Sequence, residues 1–396
     1  MKAPYLEGMR PSATLAINEH SKRLIAEGRS VTRFGLGQSP FPVEERVVEA
    51  LRRHAHEKDY LDVAGLPALR DAVAAWHTAS GVKCSGRNVF VGPGSKELLF
   101  TVQMVYEAEL LVTNPCWVSY TPQARIAGRP VTVLPSTFEG RFRLTPEVLE
   151  AHCSKASRPR LLILNYPGNP DGLSYTAQEL EALAHVLRRH GVLVISDEIY
   201  GPLHHRGEHR SLAEFYPEGT MVSGGLSKWC GAGGWRLGTL VVPDELAWIH
   251  AALRVVASET FSAVSAPTQY AAVTAFTEDL SGYLEKQRAV LRWLAPRVVD
   301  PLRRAGVDIH DPEGAFYFVG GLGEGDPRAW CRELLEATGV AVLPGVDFHR
   351  PADELSFRLA YVDFDGGAAL AGLDLAEVCA PTLEGVRRMA EFIASS

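Results

Sequence analysis

Seven short runs of continuous apolar residues through the middle of the chain constrain its fold more than any other feature. They lie at 88–91, 110–113, 131–134, 161–165, 192–196, 221–223 and 239–242. A strand with one wet face alternates apolar and polar residues. Most of these do not, so both faces are predicted to be covered. Helical patterns stand between them, such as Ala177–His190, with apolar residues at three- and four-residue spacing. The alternation predicts an α/β fold, with a mostly parallel sheet between layers of helices.

The ends of the chain read differently. A long helical pattern spans about 280–304. Short strands at 307–310, 315–319 and 356–360 follow, then a helix at 383–394. The first 45 residues hold their own helix, at about 11–28, and a glycine-bearing loop at 34–40. We expect residues 1–45 to form an arm and part of a small α+β domain. Residues 46–285 should form the large domain, and 286–396 the rest of the small one.

Composition excludes several classes. Hydrophobic residues make up 46% of the 396, enough for a core, and no glycine period suggests a fibre. A net charge of −7 gives no reason to expect a nucleic-acid surface. No apolar run reaches the roughly 18 residues of a membrane span, and the first residues lack the apolar core of a signal peptide. The six cysteines are scattered with no paired spacing, so reduced thiols in the cytoplasm are expected, with no metal site.

Four segments carry chemistry. In 223–238, Lys228 sits among small residues just after a strand, with Arg236 eight positions on. A lysine that attacks a carbonyl must be partly desolvated so that its amine is often neutral. A plain surface lysine in a glycine-rich loop is the alternative. The turn-rich segment 165–172 places Asn169 between constrained neighbours at a strand's carboxyl end, where open α/β sheets bind ligands. An ordinary turn would look the same. The run 195–200 ends another strand with Asp197 and Tyr200. Asp197 could pair with a protonated ring nitrogen, or Asp197 or Ser196 could simply cap a helix. In 91–97, a strand passes through glycines into a helix at Ser95 and Lys96, as in a phosphate cradle. Together they suggest the parts of a pyridoxal phosphate site.

On these motifs the chain resembles the class I/II aminotransferases of the aspartate aminotransferase fold (fold type I), over nearly its whole length. The resemblance implies a cytoplasmic homodimer that uses pyridoxal 5'-phosphate and takes an amino acid and a 2-oxo acid as substrates. It implies Lys228 as the Schiff-base lysine and proton carrier. Asp197 would partner the pyridine nitrogen, and Tyr200 and Asn169 the phenolic oxygen. Ser95, Lys96 and Arg236 would hold the phosphate, and Trp117 would stack on the ring. Tyr60 would reach a neighbouring subunit's phosphate. Arg358 would clamp the substrate carboxylate, with Gly37 closing over it and Asn169 beside it.

Two positions depart from the family's common pattern. Gly225 stands three residues before the lysine where Ser is frequent, and Asp171 replaces Thr in the Asn-Pro-Thr-Gly turn, where it reads as a turn residue. No Arg clearly stands where dicarboxylate-specific members hold the substrate side chain, so a preference for aspartate or glutamate is not expected. Other fold type I reactions share the same parts: β/γ-elimination or replacement, cyclisation or oxidation. A non-enzymatic regulator would carry an added DNA-binding segment, which the sequence does not offer. Three histidines, His204, His205 and His209, look like a metal cluster but are expected to be solvated loop residues. Trp229 and Trp235 are expected in the core.

Overall fold

The computed structural model describes residues 6–9, 13–155 and 158–395. Among them the strands are β1 Thr32–Arg33, β2 Val89–Gly92, β3 Glu109–Thr113, β4 Val131–Leu134, β5 Arg160–Asn165, β6 Leu193–Asp197, β7 Thr220–Gly225, β8 Gly238–Val241, β9 Asp308–Ile309, β10 Tyr317–Glu324, β11 Val340–Ala341, β12 Leu343–Pro344 and β13 Glu354–Ala360. Each of the seven apolar runs is a strand of one sheet, ordered β2-β8-β7-β6-β5-β3-β4. Its pairings from β7 to β4 are parallel, and β8 runs antiparallel to both neighbours.

The continuous apolar character has a direct cause in the packing. Leu110, Val112, Leu161, Ile163 and Ile195 face a core shared with the helices Ser95–Val105 and Ala247–Thr260. Their chain neighbours Leu111, Leu162, Leu164 and Val194 face the opposite core, built with the helix Ala177–His190. Neither face of these strands meets water, so neither needs polar residues. Local signals agree with the tertiary ones: Thr176 and Glu179 form a capping box at the start of that helix, and Gly191 ends it in the left-handed conformation.

The chain ends meet in a second region. β10 pairs with β13 and β9, and β12 lies on the other side of β13, all antiparallel. The arm joins them: β1 pairs in parallel with β11, Thr32 opposite Val340. The expected helix at 11–28 is Ala13–Ala26, with residues 10–12 outside the described part. The long helix Ser281–Arg304 is continuous, so a boundary at 285/286 falls inside it.

Candidate active site

The carboxyl ends of the central parallel strands form the floor of a cavity of about 480 Å³. Register puts Asn165 beside Asp197, and Asp197 beside Ser223, in a row across β5, β6 and β7. Asp197 is 3% exposed. Its Oδ2 accepts a hydrogen bond from the Tyr120 hydroxyl at 2.7 Å, while its Oδ1 is buried with no partner among the protein groups. Burial pushes the carboxyl up to about 6, against the pull of that hydrogen bond. Asp197 is the last residue of a strand and caps no helix. Asn165 fastens the neighbouring turn. Its amide donates to the Asp197 carbonyl at 2.7 Å and its oxygen accepts from Asn169 N–H at 2.7 Å. Asp171 closes the same turn, accepting from Leu173 N–H at 2.9 Å.

Past the end of β7, Lys228 reaches into the cavity and its Nζ donates to the Gly37 carbonyl at 2.6 Å. Burial, reinforced by the charge of Arg358, pushes its amine down to about 7, with Asp197 pulling the other way. At one wall, β2 passes through Gly92 and Gly94 into the helix starting at Ser95. A Cβ on Gly238 would collide with the backbone N of Ser95, so glycine is what lets β8 lie against the helix's N-terminus. Ser95 and Lys96, the first two residues of that helix, line the cavity, and first-turn N–H groups have no partner within a helix. Arg236, in the left-handed conformation at φ 56°, lays its guanidinium against Gly94 and donates to Gly233 O at 2.8 Å. Lys96 Nζ stands 4.9 Å from the Trp117 ring, and burial lowers its pKa.

From the other sheet, β13 brings Arg358, which is 1% exposed. Its guanidinium donates to Asn169 Oδ1 at 3.3 Å and to the Gly35 carbonyl, and its Nε is buried with no partner within the protein. It is held between the Tyr317 and Phe348 rings, 4.9 and 5.1 Å from their centroids. The Tyr317 hydroxyl meets that of Tyr200 at 2.8 Å and donates to Gly37 O at 3.2 Å.

Ser95, Lys96, Trp117, Asn169, Asp197, Tyr200, Lys228, Arg236, Arg358 and Gly37 therefore all line one cavity. Tyr60 does not. It is 92% exposed, outside the lining. The expectation of solvated histidines fails. His204 and His205 are 8% and 5% exposed, and His205 Nε2 lies 3.1 Å from Ala315 O. His209 pairs with buried Glu198 at 2.9 Å. The loop looked polar in sequence, but it folds under the segment before β10. Sequence reasoning missed Tyr120, Asn165 and Tyr317 as cavity residues. Tyr120 stands three residues past Trp117, the one available signal. Tyr317 follows Phe316 in a run that reads only as core.

Comparisons with known proteins identify the family of the chain. The family model "Aminotransferase class I and II" matches residues 29–363. The chain is 33% identical over 377 residues to an aspartate aminotransferase of Geobacillus stearothermophilus, covering 91% of this chain and 94% of that one. It is 31% identical to an asparagine–oxo-acid transaminase of Streptococcus mutans, over 89% and 92% of the two chains. Its fold is similar to that of the Thermus thermophilus aspartate aminotransferase solved with maleate, at TM-score 0.88 and 30% identity over 98% and 99% of the chains. The chain thus belongs to the class I and II aminotransferases, pyridoxal phosphate enzymes that move an amino group between an amino acid and an oxo acid.

Proposed function

We propose that this cavity performs that transfer with Lys228, Asp197 and Arg358 as its principal residues. The carrying observation is that Lys228, Asp197 and Arg358 converge on one cavity, the carboxylate with one buried oxygen unpartnered and the lysine amine pushed by burial down to about 7, so that a large share of it is neutral near pH 7. These residues fit the cofactor. A protonated pyridine nitrogen would satisfy Asp197 Oδ1, and Tyr120 fixes the carboxylate's orientation from its other oxygen. Ser95, Lys96 and Arg236 would hold the phosphate at the helix N-terminus, and Tyr200 and Asn169 the phenolic oxygen. Trp117 would cover the ring. Pyridoxal phosphate supplies the electron sink of the reaction.

Lys228 would hold the cofactor through its amine, and that amine is placed to take the proton from the substrate's Cα. Burial leaves that amine free to accept it near neutral pH. Arg358 binds the substrate carboxylate. Its fork is rigidly held, and its buried Nε–H needs an acceptor. The Gly37 loop excludes water over it. Tyr60, exposed on its own subunit, serves the phosphate of a second copy in a dimer. The arm 1–45 and residues 286–396 act as the small domain and 46–285 as the large one, with the junction inside the helix Ser281–Arg304. We place the enzyme in the cytoplasm. The cysteines are free thiols, and no described helix is long and apolar enough to cross a membrane.

Single-turnover mixing of the cofactor-loaded enzyme with amino acids tests the reading. Because relatives are named for aspartate and asparagine, those donors head the screen. The visible cofactor absorption should bleach with the right donor and return when an oxo acid is added. If every donor leaves it unchanged, or if bleaching is followed only by eliminated product, amino transfer is not the reaction.

A further inference from the structure

Tyr317 touches three parts of the cavity at once. Its hydroxyl lies 2.8 Å from the Tyr200 hydroxyl and donates to Gly37 O at 3.2 Å, and its ring faces the Arg358 guanidinium. A Cβ on Gly37 would collide with that hydroxyl, so the loop is packed directly onto it. Tyr200 and Tyr317 are 2% and 0% exposed, so bulk water does not compete for their hydroxyl groups.

A phenol has one proton to give. While Tyr317 donates to Gly37, the bond between the two hydroxyls must use the proton of Tyr200, which then has none to offer the cavity. If Tyr200 turns its proton into the cavity, the pair stays bonded only if Tyr317 turns its own from Gly37 to the Tyr200 oxygen. In the cofactor-free chain Gly37 O also accepts from Lys228 Nζ at 2.6 Å; with that amine committed to the cofactor, Gly37 O would give up both donors together.

We propose that Tyr317 is a positioning residue acting through Tyr200. Its hydroxyl donates to Gly37 while Tyr200 is idle, and turns to Tyr200 when that residue donates to the cofactor's phenolic oxygen. This rests on the site reading above. Two effects follow. Donation into the Tyr200 oxygen polarises its O–H and strengthens the bond Tyr200 makes. The Gly37 loop also loses an anchor when cofactor engages Tyr200, which links the cofactor to the loop above the substrate. Gly35 of that loop is already bonded to Arg358.

The test is a pH titration of the visible cofactor band in the loaded wild type, Tyr200→Phe, Tyr317→Phe and the double variant. Tyr317→Phe keeps the ring against Arg358 and removes only the hydroxyl. A donor to the phenolic oxygen favours its ionised form, so Tyr200→Phe should move the transition upward. Tyr317→Phe should move it the same way by roughly 10–30% as much. In the double variant the Tyr317 change should add nothing, since its effect passes through Tyr200. No shift, a downward shift, or an equal shift in the Tyr200→Phe background overturns the coupling. A Tyr200→Phe transition identical to wild type overturns the site reading itself, a separate result.

Discussion

Lys228 and Arg358 are two cations in one cavity, and each is sensitive to a single change. The Lys228 amine sits near 7 in the folded protein against about 10.5 unfolded. Between those values the unfolded chain binds more protons, so unfolding free energy rises with pH across that window. Below about pH 7 the folded protein bears the full cost of a buried charge. Lys228→Met removes this dependence. The cofactor-free variant should melt higher than wild type at pH 7, and the gap should close towards pH 10, as differential scanning fluorimetry can follow. A gap that stays constant with pH would mean the amine is not depressed. Arg358→Lys keeps the charge and loses the fork. The amino donor's KM should rise roughly 10- to 100-fold, the worth of one charge-assisted bond, with kcat changing far less. Lys228 and Asp197 were legible in sequence as charged groups just after or at the end of apolar strands, whereas Arg358, inside β13 among apolar neighbours, was offered only by the family resemblance. Tyr317 and Tyr120 were not legible. An aromatic residue among apolar neighbours looks the same whether its hydroxyl is idle or bonded.

Elements place these residues, and here a single hydrogen can matter. Gly238 lets β8 touch the start of the helix at Ser95. Gly238→Ala should push the strand off that N-terminus, lowering cofactor affinity tenfold or more and stability by about 1–3 kcal/mol. Cofactor titration and urea unfolding measure the two. Gly282, the second residue of the long helix, where an added Cβ would meet nothing within 4 Å, is the control: Ala there should be neutral or stabilising by up to about 1 kcal/mol. The large sheet was readable because burial on both faces leaves a continuous apolar record in each strand. Of the two-residue strands, β9 falls inside the strand expected at 307–310, but β1, β11 and β12 leave no such record. Two residues have no period, and their pairing depends on neighbours far away in sequence.

At the scale of the whole molecule, the proposed dimer makes each cavity composite. Tyr60→Ala and Lys228→Ala should each be weak or inactive alone. Mixed and allowed to exchange subunits, they should form hybrids with one intact site, and activity should exceed that of both parents. A mixture no better than its components would place Tyr60 outside the neighbour's site. The pairing of Thr32 with Val340 has a further consequence, for biosynthesis. On the ribosome, the large sheet has all its strands by residue 241, but the arm leading to Gly35 and Gly37 finds its partner strand only about a hundred residues later. The loop that this pairing closes spans roughly three hundred residues, so closing it is slow and comes late. The nascent chain would hold a formed sheet with Lys228 in place before Gly37 and Arg358 arrive, so the site gains its chemistry first and its roof last.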